Sequence, residues 1–213
     1  MILAPFTVGP FQENSYLLMD ADSRDAVFID PGDEGSRLVG EVERAGAQLR
    51  AIWVTHGHLD HVGGIAALRK VWDVPILLHP LDAPLYAAAA RQAEYYGIPF
   101  TQPPAPDREF AEGDTLTLGA LTFGVIHVPG HAPGHVAFVG HGVVFGGDCL
   151  FAGSIGRTDL PFSDPAQLER SLVRFAGLPP ETIVYPGHGP ATTIASELTS
   201  NPFLSGVARI LRR

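Results

Sequence analysis

Apolar positions in the first half of the chain fall into short blocks that alternate with turn residues. Residues 16–19 and 26–29 are extended segments of strand length, and the second ends in the turn sequence Asp30-Pro31-Gly32-Asp33. Over residues 34–45, Leu38, Val42 and Ala45 recur at helical spacing before Gly46, and Ala51-Ile52-Trp53-Val54 is then a continuous β-type run. A strand-helix-strand unit is predicted. Helices are expected over 62–72 and 83–96, the latter closed by Gly97, with a strand over 75–78 between them.

Residues 101–106 carry three prolines and read as an extended loop, after which the texture changes. Residues 115–118, 121–128, 136–139 and 143–145 are short strands punctuated by glycine, the pattern of a meandering antiparallel sheet. A helix is predicted over 164–175, with Asp164 as N-cap and Pro165 in the first helical position, and one more strand over 183–185. Two β-rich halves with their own helices point to two sheets packed face to face and covered by helices outside, an α/β architecture. No polar linker or composition break interrupts the 213 residues, so one domain spanning 1–213 is expected.

Composition narrows the function. Apolar residues make up 46% and charged residues 17%, which favours a well-buried core over disorder. The net charge of -9, with 14 scattered basic residues against 23 acidic ones, repels phosphate backbones and argues against a nucleic-acid partner. The lone Cys149 has no partner for an internal disulfide, which suits a reducing compartment. The first residues have no positive charge ahead of a short apolar stretch that Pro5 and Pro10 interrupt, and no later run is long enough for a bilayer. A cytoplasmic protein with no membrane partner is the expectation.

The chemistry is concentrated in Thr55-His56-Gly57-His58-Leu59-Asp60-His61-Val62-Gly63-Gly64, at the junction of a predicted strand and helix. Residues two apart in an extended segment point the same way, so His56 and His58 can converge on one metal ion, while Asp60 and His61 enter the helical turn and face elsewhere. Such a string arises by chance in roughly one sequence per thousand of this composition. Three further positions each follow a predicted strand and are flanked by glycine: His131 after Val128-Pro129-Gly130, Asp148 after Phe145-Gly146-Gly147, and His188 after Tyr185-Pro186-Gly187. That layout gathers all seven at one edge of the sandwich. Imidazole and carboxylate donors without thiolate point to zinc, iron or manganese.

Other residues carry weaker signals. His79 and His141 have no ligand partners in sequence and are expected to be structural. His127 and His135 flank His131 at four positions on either side and suit either support of a ligand or a core role. Cys149 is expected as a small buried apolar residue. Arg157, in Gly156-Arg157-Thr158-Asp159, is either braced by Asp159 or free to bind a substrate carboxylate.

The string His56-x-His58-x-Asp60-His61, followed in order by His131, Asp148 and His188, resembles the metallo-β-lactamase fold superfamily, and within it the hydroxyacylglutathione hydrolase (glyoxalase II)-like branch. The resemblance runs from the early strand pair and Asp30-Pro31-Gly32 to His188. It implies a four-layer αββα sandwich of two mixed β-sheets flanked by helices, with a binuclear site. One metal would take His56, His58 and His131, the other Asp60, His61 and His188, and Asp148 would bridge them. Two divalent ions are implied, zinc ahead of iron or manganese, acting on a small-molecule thioester such as S-lactoylglutathione through a bridging hydroxide that Asp60 and Asp148 hold in place. The Gly-Gly-Asp register sets Asp148, not Cys149, at the bridge, which disfavours β-lactam hydrolysis. The Arg157-Thr158-Asp159 run also resembles iron-dependent persulfide dioxygenases of the same fold, and a non-catalytic metal-binding module is the third reading. The chain ends soon after His188 without the C-terminal helical domain of typical glyoxalase II enzymes, leaving Arg209, Arg212 and Arg213 as substitutes for its basic grip.

Overall fold

The structure is a computed structural model that describes residues 1–208 and 210, so Arg209, Arg212 and Arg213 lie outside the described residues. Strand β1 (Ile2–Val8) pairs antiparallel with β2 (Glu13–Met19), and β2 with β3 (Asp25–Ile29). Helix α1 (Gly35–Arg44) crosses over to β4 (Gln48–Trp53), which lies parallel to β3 as the strand-helix-strand reading requires. Helices α2 (Leu59–Val62) and α3 (Ile65–Val71) lead to β5 (Ile76–Leu78), and α4 (Ala83–Ala87) and α5 (Ala89–Tyr96) to the edge strand β6 (Arg108–Glu109). The first sheet runs in the order β1-β2-β3-β4-β5-β6.

The second sheet begins as the expected meander, β7 (Thr115–Leu118), β8 (Leu121–His127), β9 (Val136–Gly140) and β10 (Val143–Gly147), each antiparallel to the last. A small hairpin of β11 (Leu150–Phe151) and β12 (Ser154–Ile155) and helix α6 (Pro165–Ala176) follow. The chain then returns as β13 (Ile183–Pro186), parallel to β10, and β14 (Thr192–Thr193) leads into α7 (Ile194–Ser200). Both sheets are therefore mixed.

Alternation along the strands builds three apolar layers, because successive side chains leave a strand on opposite faces. Leu17, Phe28, Ile52 and Ile76 face outward from the first sheet and pack with Leu38 and Val42 of α1 and Ile65 and Leu68 of α3. Their neighbours Leu18, Ile29, Trp53 and Leu77 face inward and meet Phe123, Phe138 and Phe145 of the second sheet. Ala137 and Val144 on the far side of that sheet pack with Leu168, Leu172 and Phe175 of α6 and Ile194 of α7. The result is the αββα sandwich. Among the described residues no helix is long and apolar enough to cross a membrane.

Two predicted helices are each broken. The helix expected over 62–72 starts earlier, at Leu59, and breaks between Val62 and Ile65, where the Asp30-Pro31-Gly32 turn packs so closely that a Cβ on Gly64 would lie 2.9 Å from Pro31 O. The helix expected over 83–96 is interrupted at Ala88, whose ψ of 0° ends α4 before α5 begins. Helix α6 starts as predicted, the Asp164 carboxylate accepting from the amides of Ala166 and Gln167 at 2.8 and 3.0 Å.

Candidate metal centre

The four segments carrying the sequence-predicted ligands all leave their strands at one edge of the sandwich. His56, His58, Asp60 and His61 follow β4, His131 follows β8, Asp148 follows β10 and His188 follows β13. The first sheet reaches across to hold the last of these. Asn14 donates its backbone amide to Gly187 O at 2.7 Å and its side-chain amide to Gly189 O at 2.7 Å and Pro186 O at 3.2 Å, and the Tyr16 hydroxyl donates to Pro186 O at 2.6 Å.

The structure brings all seven residues together. The donor atoms of His56, His58 and His131 lie within 4.8 Å of one another, as do those of Asp60, His61 and His188. Asp148 sits between the two groups. Its Oδ2 is 3.4 Å from His131 Nε2 and 3.5 Å from His188 Nε2, and its Oδ1 is 3.4 Å from His61 Nε2. His58 Nδ1 and His131 Nε2 approach to 2.9 Å, and His188 Nε2 lies 3.4 Å from Asp60 Oδ2.

Hydrogen bonds behind the rings fix which nitrogen carries a proton. His61 Nδ1 donates to Asp30 Oδ2 at 3.0 Å, and His131 Nδ1 donates to Arg157 O at 2.9 Å. The Thr55 hydroxyl gives its hydrogen to Asp30 Oδ2 at 2.6 Å and so accepts from His56 Nδ1 at 3.0 Å. Each arrangement turns Nε2 toward the cluster, where its lone pair is open to a metal once any proton there is displaced, the way carboxylates and carbonyls orient metal-ligating histidines. His56 Nε2, His61 Nε2 and Asp148 Oδ1 are buried with no hydrogen-bond partner among the described residues. Buried polar atoms without partners are costly, and three converging here are what a cation would satisfy. The residues therefore fit a metal site.

Electrostatics agree with this. Burial opposes charge on His61, but the Asp148 and Asp30 carboxylates outweigh it and raise its pKa well above the ordinary range. His188 is likewise pushed up to about 10, burial being overcome by Asp148 and Asp60. At the other group burial dominates: with His131 alongside, His58 falls to about 3, and His56 is also held neutral. One end of the cluster presents neutral imidazoles, and the other offers carboxylates whose countercharges are protons.

Two supporting residues, Asp30 and Asp82, were not legible as such in the sequence, and a third, His135, was left open. Asp30 appears there only as the first residue of a turn. In the fold its φ of 46° swings the carboxylate back under the ligands, where it accepts from Thr55 N at 2.7 Å as well as from Thr55 Oγ1 and His61. Asp82, fully buried, accepts from Gly57 N at 2.9 Å and from Gly134 N, tying the loop of His56 and His58 to the loop after His131. His135, which the sequence left open between support and core, accepts from the amide of Asp148 at 2.9 Å. Glycine is required where the segments meet, since a Cβ on Gly187 would fall on Asp148 Oδ1 and lie 2.7 Å from His61 Cε1.

The remaining histidines stay outside the cluster. His127 stacks on His79 with ring centroids 4.4 Å apart and Nε2 2.9 Å from Pro133 O, while His141 Nε2 accepts from Thr122 N at 3.0 Å. Cys149 is buried in the layer beneath α6, and burial pushes its thiol pKa up. The Arg157 guanidinium makes two hydrogen bonds to Asp159, at 2.6 and 2.7 Å, the braced geometry that its sequence neighbourhood allows.

The cluster forms the floor of a cleft of about 760 Å³, where His58, Asp60, His131, Asp148 and His188 are all accessible from one opening. Residues of α4 and α5 form one wall, and β11, β12 and the segment through Phe162 form the other.

Comparison with known proteins places these features in context. The family model described as the metallo-beta-lactamase superfamily matches residues 8–188. A Haemophilus influenzae protein named hydroxyacylglutathione hydrolase GloC is 41% identical over 203 residues, covering 93% of this chain and 95% of the relative. A crystal structure of the protein TTHA1623 in a di-iron-bound form superposes with a TM-score of 0.88 at 48% identity, covering 94% of this chain and 100% of that one. The crystal structure of BLEG-1, named as a B3 metallo-beta-lactamase, gives a TM-score of 0.90 at 38% identity over 96% of this chain and 100% of its own.

Proposed function

The chain belongs to the metallo-beta-lactamase superfamily, and on that premise we propose that it is a binuclear metal-dependent hydrolase of thioesters, with S-lactoylglutathione or a related acyl-thiol as substrate. The observation that carries this reading is the position of Asp148 between two three-residue groups, within 3.5 Å of a histidine from each. Its likeness to GloC over nearly the full length of both chains supports the thioester.

In this reading His56, His58 and His131 hold one divalent ion, Asp60, His61 and His188 hold a second, and Asp148 serves both. Zinc and iron both suit these donors, and the di-iron form of TTHA1623 supports iron. When bound, the two ions supply Lewis acidity toward a carbonyl and a water acidic enough to ionise near neutral pH. The protein's own contribution is orientation. Asp30, Thr55 and Arg157 O keep the ring protons of His61, His56 and His131 turned away from the cluster. Asp60 lines the cleft floor and in this reading would accept a hydrogen bond from an attacking water and align it. A thiolate departs without prior protonation, so a strong general acid is unnecessary.

The test is the rate at which metal-loaded protein cleaves S-lactoylglutathione, with His58→Ala as control and nitrocefin as a β-lactam comparison, since one structural relative is named as a β-lactamase. Turnover of the thioester that the control lacks supports the proposal, and its absence from a protein carrying two ions would refute this substrate. A second reading, the iron-dependent persulfide dioxygenase, draws on the iron in TTHA1623; oxygen uptake with glutathione persulfide in place of thioester cleavage would establish it.

A further inference from the structure

Thioesters have an acyl part and a thiol carrier, and the cleft walls differ in what they offer to each. Above the metal-facing floor the lining is mostly apolar, and several of its large side chains are left in water. Tyr95 is 85% exposed, Phe162 69%, Tyr96 50% and Phe11 36%. These are four of the twelve large apolar side chains left exposed on the described surface, and all four line one opening. Scattered exposed hydrophobes need no explanation, whereas a set gathered around a concave site does.

They form a partly organised rim. The Tyr96 ring meets Phe11 edge-on with centroids 5.5 Å apart and Tyr95 at 5.2 Å. Opposite them, Phe162 holds a φ of 68°, a conformation that costs a bulky side chain free energy. Leu85 and Ala88 below the first wall and Ile155 and Leu160 in the second continue the apolar surface down toward the floor.

Among the described residues, charge along the walls is sparse. Arg157 is committed to Asp159, so Arg91 is the guanidinium lining the cleft that has no carboxylate partner among the described residues. A polar carrier such as glutathione has two carboxylates, and a single such cation among the described residues, at an exposed rim, grips them weakly. Apolar contact has to supply much of the affinity.

We propose that this cleft selects thioesters whose acyl group is apolar, aliphatic or aromatic, with the acyl chain lying between α5 and the segment Leu160-Pro161-Phe162 and its carbonyl at the metal-facing floor. The inference rests on the thioester reading but concerns binding as well as turnover, so the two fail separately. S-alkyl glutathione thioethers have no carbonyl to cleave and report on the cleft alone. Burying each methylene should tighten binding by about two- to fourfold, on the order of a hundredfold from S-methyl to S-hexyl glutathione by titration calorimetry.

Tyr95→Ala, at a largely exposed helical position, should flatten that series, and Phe162→Ala should do so from the opposite wall. In kinetics, S-isobutyrylglutathione, in which a methyl replaces the lactoyl hydroxyl, should show a several-fold higher kcat/KM than S-lactoylglutathione. Chain-length-independent affinity, or a preference for lactoyl, would overturn the inference. A tightening series in a protein that cleaves no thioester would uphold the apolar site while refuting the hydrolase.

Discussion

Asp30 and His61 face each other across 3.0 Å beneath the cluster, the carboxylate taking the Nδ1 proton of a ring whose Nε2 is turned toward Asp148. The pairing joins the turn after β3 to the helix after β4, so a residue far from the string His56-x-His58-x-Asp60-His61 decides the state of its last histidine. Histidine ligands depend on such partners for tautomer and basicity.

Asp30→Asn should therefore weaken metal binding by about 10- to 100-fold, because an amide presents either a poorer acceptor or a donor to His61 Nδ1. Competition with a chromophoric chelator measures this. An unchanged affinity would remove Asp30 from the account.

Asp82 makes a different prediction. Removing its carboxylate orphans the buried amides of Gly57 and Gly134, at about 1–3 kcal/mol each, and unties the loop of His56 and His58 from that of His131. Asp82→Ala should lower the denaturation midpoint, and cobalt spectra should show the three-histidine group losing metal before the group of Asp60, His61 and His188. Equal loss from both groups would count against a role specific to one loop pair.

Protons and metal compete at the carboxylate-rich end. The raised pKa of His188, about 10, means that its proton stabilises the metal-free fold fully below the unfolded value near 6.5, and that this contribution is lost as pH rises through about 10. Binding a cation at neutral pH must displace that proton and the one on His61 Nε2, so metal affinity should rise with pH. Titration calorimetry in buffers of different ionisation enthalpy should show release of about two protons per chain, with His188→Ala releasing one fewer. No release would mean that the rings are neutral before metal arrives.

Gly187→Ala tests the close approach of the His188 segment. Its Cβ would displace Asp148 Oδ1 and crowd His61, so the variant should fold, because the site is at the sandwich edge, yet bind metal at least tenfold more weakly. Wild-type metal content would show that the segment can move aside.

Much of this was legible in the sequence, for physical reasons. The unbroken apolar runs at 16–19 and 26–29 mark strands buried on both faces, and the glycines before His131, Asp148 and His188 mark strand ends where backbone and ligand crowd together. What was hidden depends on contacts between distant segments. Strand β1 alternates exposed and half-buried residues around Pro5 and gave no strand signal, and β6 and β14 are two-residue pairings made by neighbours, not by propensity. Ala88 has a helix former's sequence, yet the helix breaks there. Asp30 looked like an ordinary turn residue and Asp82 carried no signal, because their partners lie about 25 positions or more away.

In the proposed function, two ions gathered by these seven side chains cleave a thioester. Chelator-stripped protein should be titrated with zinc and, separately, with ferrous iron, while metal content and thioester cleavage are followed in the same samples. Activity should rise to a maximum at two equivalents per chain with at least one metal, and should be absent at every metal level in Asp148→Ala. Full activity in stripped protein, or undiminished activity in that variant, would contradict it.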